Sequence, residues 1–216
     1  MQKGRTIIVG AGGFGRELIA WAEDCHNAGL LAPIAGLVDD NLRAMDGFSY
    51  PVGLLSSIAE FVPEPGDQLL MAIGTPAIKQ RVSELLGGRG GNFVTLIHPT
   101  AVVARSARVS DGTILCPLSL VSADAVLGRL CAVNALSSIG HDVQVGAFST
   151  LSAHVDLTGA VSVGEGVMIG TGAKLLPRVK IGNGAKIGAG AVVYRSVLAG
   201  RTVFAAPAKT LPQSSR

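Results

Sequence analysis

From Ile97 onward an aliphatic residue returns at every sixth position. Ile97, Val103, Val109, Leu115, Val121, Leu127, Val133, Ile139, Val145, Leu151, Leu157, Val163, Ile169, Leu175, Ile181, Ile187 and Val193 keep that spacing without an insertion or deletion. Ala199 and Ala205 extend it in weaker form. Glycine often follows the aliphatic residue, as at Gly128, Gly140, Gly146, Gly164, Gly170, Gly182, Gly188 and Gly200. A small or β-branched residue stands four places after it, as at Ala125, Cys131, Ser149, Ala173 and Ala185. A period of six matches neither a helix nor an alternating strand. It predicts a prism of short strands joined by tight turns, with one aliphatic residue per side pointing inward. Three sides close a coil, so Ile97 to Phe204 supplies about six coils, each burying its inner face only by stacking on the next. The glycines are expected in the turns, where a positive φ is easiest without a Cβ.

The first 96 residues carry a different pattern. Thr6–Val9 reads as a buried strand, followed by Gly10-Ala11-Gly12-Gly13-Phe14-Gly15 and a helix from Arg16 to Asn27. Ile34–Val38 is a second strand, ending in Asp39-Asp40, and Gln68–Ile73 a third, ending in Gly74-Thr75-Pro76. A helix from Ala77 to Leu86, a glycine-rich loop over Gly87–Gly91 and a strand over Phe93–Ile97 lead into the coils. The organisation expected is an α/β domain of the Rossmann-like βαβ kind over 1–96, a parallel β-helix over 97–204 and a tail over 205–216.

Composition sharpens this picture. The 216 residues are 48% hydrophobic but only 4% aromatic, which suits coils filled with Val, Ile, Leu and Ala. The formal charge of +3 and the lack of a basic run argue against nucleic acid as a partner. Sparse charge on a solenoid suggests a flank buried in an oligomer. Cys25, Cys116 and Cys131 have no metal-type spacing and are expected to be reduced in a cytoplasmic protein. The N-terminus lacks a signal-peptide pattern, and no apolar run approaches the ~18 residues of a membrane span.

Two constellations point to chemistry. Gly10-x-Gly12-x-x-Gly15 between a strand and a helix is a phosphate-cradling loop, and an acid ending the second strand can bind ribose hydroxyls. A solenoid follows where a dehydrogenase would carry its catalytic domain, so a nucleotide-linked substrate fits better than a nicotinamide. Of the four histidines, His26 and His98 read as solvated and structural. His141 falls in a turn beside Asp142; a neutral imidazole there can accept a proton. His154 lies two sides further on, so the two can meet only across a subunit interface. The histidine spacing gives no support to a zinc site.

The motifs Val9–Gly15, Leu37–Asp40, Ala72–Gly74, Leu96–Pro99, Asn134, Ile139–Asp142, Gly159, Ile187–Gly190 and Ala206–Lys209 resemble the hexapeptide-repeat sugar acyltransferases. These are related to sialic-acid O-acetyltransferase and to the bacterial nucleotide-aminosugar N-acetyltransferases. Within that family the chain is most similar to the GDP-perosamine N-acetyltransferases of O-antigen biosynthesis. The resemblance implies a left-handed coil, a homotrimer with active sites between subunits, and acetyl-CoA as cosubstrate without a metal. It implies His141 as general base assisted by Asp142. Gly12, Gly13, Phe14, Asp39, Asp40, Gly74 and Asn134 would bind the nucleotide-linked aminosugar. Thr150, Gly159, Thr171 and Ala189 would contact acetyl-CoA, with the Gly159 N–H on the thioester carbonyl. Phe14 and Thr150 stand where related UDP-aminosugar enzymes have histidine. Two other readings are an O-acetyltransferase, which would use the same base on a hydroxyl, and a non-catalytic scaffold that binds nucleotide-sugars.

Overall fold

The computed structural model describes residues 4–206 and residue 208. Most of the 205–216 tail, including Pro207 and Lys209 of the C-terminal motif, lies outside the described residues. The N-terminal part is a five-stranded parallel sheet in the order β3-β2-β1-β4-β5, formed by β1 (Thr6–Val9), β2 (Ile34–Val38), β3 (Leu54–Ser56), β4 (Gln68–Met71) and β5 (Asn92–Phe93). Helices α1 (Gly13–Asn27) and α2 (Pro76–Gly88) complete it. The order reverses between β1 and β4, which opens a crevice at their C-terminal ends. The Gly10 loop and the Gly74 loop flank that crevice.

Several boundaries differ from the sequence expectation. Helix α1 begins at Gly13, so Phe14 and Gly15 belong to its first turn, not to the loop. Helix α2 takes in Gly87 and Gly88. The strand expected over Phe93–Ile97 is broken in two. Asn92–Phe93 pairs with β4, whereas Leu96–Ile97 pairs with the first coil, so the chain changes sheets between them. β3 was not foreseen, because Leu54–Ser56 is too short to show a period.

Eighteen two-residue strands follow, from β6 (Leu96–Ile97) to β23 (Thr202–Val203). They stack into three parallel sheets of seven, six and five strands, the faces of a three-sided prism of about six coils. The first face starts at Leu96–Ile97, the second at Val102–Val103 and the third at Arg108–Val109. Register holds at eighteen residues, so Leu115, Val133 and Leu151 lie one above another. The inward residues from Leu115 to Val193 and the small residues between them are buried in one continuous core.

The period fails at both ends. Ile97 is 37% exposed because no coil lies beneath it. Ala199 and Ala205 are exposed, against expectation. The last coil is two residues shorter, so Val197 pairs with Ile181 and Val203 with Ile187, and these valines take the inward places.

The glycines also act differently from the expectation. From Val109 to Ile187, positive φ falls on the residue three places after each aliphatic of the series, and among the described residues nine non-glycines occupy such turns, Asp142 (φ 61) and His154 (φ 59) included. The glycines directly after the aliphatic residue serve stacking instead. A Cβ on Gly170 would lie 2.6 Å from the Ala189 nitrogen of the next coil, too close for any side chain.

The first face is apolar on its outside as well. Leu96, Ile114 and Cys116 are buried against Leu18, Ile19 and Cys25 of α1, while Leu130 packs with Val82 and Leu86 of α2. The N-terminal sheet and its helices therefore ride on the lower coils. No helix among the described residues is long and apolar enough to cross a membrane.

Candidate active site

The site residues fall into two groups on neighbouring edges of the prism. The first group surrounds the crevice. Gly10 takes φ +107 as the chain leaves β1, and a Cβ on Gly15 would meet the Gly10 carbonyl oxygen, so both positions need glycine for the tight turn. Gly12 and Gly13 have open space where a Cβ would stand, as does Gly74 across the crevice. Gly12 caps α1 with no side-chain hydrogen bond, which leaves the N–H groups of the first turn facing the crevice.

Asp39 sits at the end of β2 as expected, but its carboxylate is already engaged. Oδ2 accepts the Ala11 N–H at 2.7 Å and Oδ1 accepts the Asn41 N–H at 2.8 Å. Its visible role is to hold the glycine loop. Asp40 likewise accepts the Ala59 N–H at 3.0 Å. Two residues the sequence reading missed lie beside this loop. The Arg16 guanidinium, on the first turns of α1, stacks 4.0 Å from the ring centre of Phe48, which is half exposed. Nothing in the local sequence pairs them, because the contact depends on how the loop after β2 returns to α1.

Phe14 and Ala135, the latter on the edge between the first and second faces, both pack against the cluster formed by α1 and the first face. Asn134 belongs to the same edge; its Oδ1 accepts the Ala135 N–H at 2.7 Å. Coil above coil, His154 donates its N–H to Ala135, Gly172 to Ala153 and Gly190 to Thr171. This column places Asn134, His154, Thr171 and Ala189 along one edge, with His154, Thr171 and Ala189 exposed.

The second group lies on the next edge, between the second and third faces. The His141 imidazole Nδ1 is 2.8 Å from Asp142 Oδ2, and both side chains are more than half exposed. The left-handed turn at Asp142 folds its carboxylate back onto the ring. In a neutral ring whose Nδ1 donates to this carboxylate, Nε2 is the nitrogen that carries the lone pair. Gly159 stands directly above: a Cβ there would collide with Nε2. Its N–H has no partner among the described residues, while its carbonyl accepts the Arg178 N–H at 3.1 Å. The imidazole Nε2 and the Gly159 backbone of the next coil are thus neighbours on this edge.

Thr150 belongs to neither group. It lies on the first face, 6% exposed, and its Oγ1 takes a 2.8 Å hydrogen bond from Lys79 Nζ of α2. The expectation that it touches acetyl-CoA conflicts with that cover. Burial lowers the Lys79 pKa to about 8, and it pushes the Cys25 and Cys131 thiols up to about 11. His98, the expected structural histidine, is buried between Asp24 of α1 (3.1 Å) and Thr100. Among the described residues no cluster of His, Cys, Asp or Glu has the grouping of a metal site.

Residues 5–86 match the PglD N-terminal domain and residues 160–195 match the bacterial transferase hexapeptide (six repeats) family. The chain is 34% identical, over 51% of its length, to a UDP-N-acetylbacillosamine N-acetyltransferase of Bacillus subtilis, of which the match covers 50%. The chain spans about half the length of the curated relatives it matches. Among solved structures, PerB from Caulobacter crescentus in complex with CoA and GDP-perosamine is 30% identical with a TM-score of 0.83, covering 95% of this chain and 96% of that one. The acetyltransferase domain of PglB from Neisseria gonorrhoeae, in complex with acetyl coenzyme A, is 28% identical with a TM-score of 0.83, covering 96% and 98%. With a PglD-type domain seated on hexapeptide coils, and similarity of this extent along the whole chain, the protein belongs to the hexapeptide-repeat nucleotide-sugar acetyltransferase family.

Proposed function

We propose that the protein transfers an acetyl group from acetyl-CoA to the amine of a nucleotide-linked 4-amino-4,6-dideoxy sugar, GDP-perosamine being the acceptor. The observation that carries this reading is the His141 edge, where an exposed imidazole, paired with Asp142 through Nδ1, has its Nε2 against Gly159 of the next coil. Residues 1–96 hold the nucleotide-sugar and 97–204 perform the transfer. The solved relatives that hold CoA with GDP-perosamine, or acetyl coenzyme A, support both substrates.

The neutral amine attacks the thioester carbonyl. As the C–N bond forms, His141 Nε2 takes the amine proton, and Asp142 stabilises the imidazolium that results. The Gly159 N–H donates to the oxyanion. Collapse of the tetrahedral intermediate breaks the C–S bond, and the imidazolium returns the proton to the CoA sulfur. No covalent enzyme intermediate is required, so both substrates are bound at once.

The crevice with Gly12, Gly13, Phe14, Gly74 and Asn134 opens beside a different edge from His141. In a homotrimer the His141 edge of one copy would meet the Asn134–Ala189 edge of the next, with Thr171 and Ala189 along the pantetheine. Exposed Val102, Leu118, Leu120 and Leu136, on and beside the intervening second face, are the apolar surface such an assembly would cover.

The test is thiol release from acetyl-CoA with GDP-perosamine and a UDP-4-amino sugar as parallel acceptors. Release with the GDP sugar is expected. Release only with the UDP sugar moves the specificity and keeps the mechanism, and silence with both removes the reading.

A further inference from the structure

Lys79 is a lysine with no solvent exposure and no carboxylate partner among the described residues. Nζ reaches out of α2 to Thr150 Oγ1 at 2.8 Å and the Ser149 carbonyl at 3.4 Å, on the coil that starts the fourth level of the first face. Among the described residues, the titratable solenoid group that acts on it is the Cys131 thiol. Burying an ammonium group costs free energy that a methionine of similar shape would avoid. Packing alone therefore does not account for a lysine here.

Its place in α2 suggests what the contact does. The Lys79 N–H closes the first helical turn onto the Thr75 carbonyl at 2.9 Å, directly after Gly74. Pro76 of the same turn rests against Gly166, 3.9 Å from where a Cβ would stand. The other helix, α1, is tied to the coils near its C-terminal end, where Asp24 meets His98 at 3.1 Å. Near the crevice, the first turn of α2 is joined to the solenoid through the buried Lys79 side chain.

We propose that Lys79 is a positioning residue for the nucleotide-sugar: by gripping Thr150 it fixes the Gly74 lip at the spacing the ligand needs. The inference rests on the crevice being the nucleotide-sugar site. It also explains why Thr150 is closed over in this chain.

The test uses the full-length chain with Lys79→Met, Thr150→Val and the double variant. Binding of GDP-perosamine, with GDP and UDP as simpler probes, is measured by calorimetry, and acetyl-CoA binding to Lys79→Met serves as a control. Native-state hydrogen exchange is followed over residues 74–82. Each single variant is expected to weaken GDP-perosamine binding about tenfold, and the double variant no further, because both remove one contact. Exchange in the first turn of α2 should quicken while β1 stays protected, and acetyl-CoA affinity should hold. Additive losses, or unchanged nucleotide affinity with unchanged exchange, would overturn the proposal. Thr150→Val deletes only a hydroxyl and keeps the test open should Lys79→Met not fold. If the wild type binds none of the nucleotide probes, the functional reading fails while the exchange experiment still decides whether Lys79 holds the turn.

Discussion

Two basic side chains meet the coils of this protein in opposite ways. His141 stands on an edge, 69% exposed, with a carboxylate at 2.8 Å. Lys79 lies under α2 against the first face, with no exposure and, among the described residues, only a hydroxyl and a carbonyl for partners. Proton transfer to a substrate needs access, which the edge provides and the face denies. A buried cation can instead fix a distance, since its desolvation makes any other placement of its partners costly. Edges of the prism are therefore where chemistry can sit, and the covered face is where the two parts of the chain are held in register.

The strongest way to break that contrast is His141→Asn. Thiol release should fall by about 10²–10⁴-fold while the melting temperature stays near wild type, because the ring packs into no core. Near-normal turnover would remove His141 as the base. Lys79 should show the reverse sensitivity. Its folded pKa of about 8 lies below the unfolded value of 10.5, so the unfolded chain binds more protons between these values. The burial penalty is fully present below pH 8 and is relieved as pH rises toward 10.5. Relative to Lys79→Met, the wild type should gain on the order of 3 kcal/mol over that window, read from denaturant unfolding at a series of pH values. A stability difference that ignores pH would mean the ammonium is solvated.

Gly159→Ala probes the edge more finely. The added methyl occupies the place of His141 Nε2, so the ring must swing away, and kcat should drop by about 10²-fold with the coil intact. Wild-type kcat would show that the ring and Gly159 do not work as a pair. Gly170→Ala tests the stacking role of the glycines, with an expected loss of about 1–3 kcal/mol in thermal unfolding. Gly172, with φ +73 and only the Gly190 nitrogen 4.0 Å away, should tolerate asparagine far better. Equal losses at both positions would return the glycines to a purely conformational role.

Much of this was legible in the chain alone. The aliphatic series from Leu115 to Val193 marks the inward positions one by one, because a coil of fixed circumference admits one such residue per side. The Gly10–Gly15 loop and the His141-Asp142 pair were visible because neighbours in sequence carry their geometry. The engagement of Asp39 with Ala11 was not, since a carboxylate ending a strand looks the same whether it faces a ligand or a backbone N–H. Ala199 and Ala205 misled because they keep the spacing while Val197 and Val203 supply the bulk that the core needs.

The local period, then, was enough to determine the prism, its coil length and its core, since each of these depends on residues six or eighteen apart along one chain. Where the N-terminal sheet would sit was not written in any period. That depends on contacts between residues 70 or more apart, such as Lys79 with Thr150 and Asp24 with His98. The same long-range packing closed Thr150 under α2 and left His141 open one edge beyond Asn134. Which side chains are free to react was decided there, by what the folded chain covers.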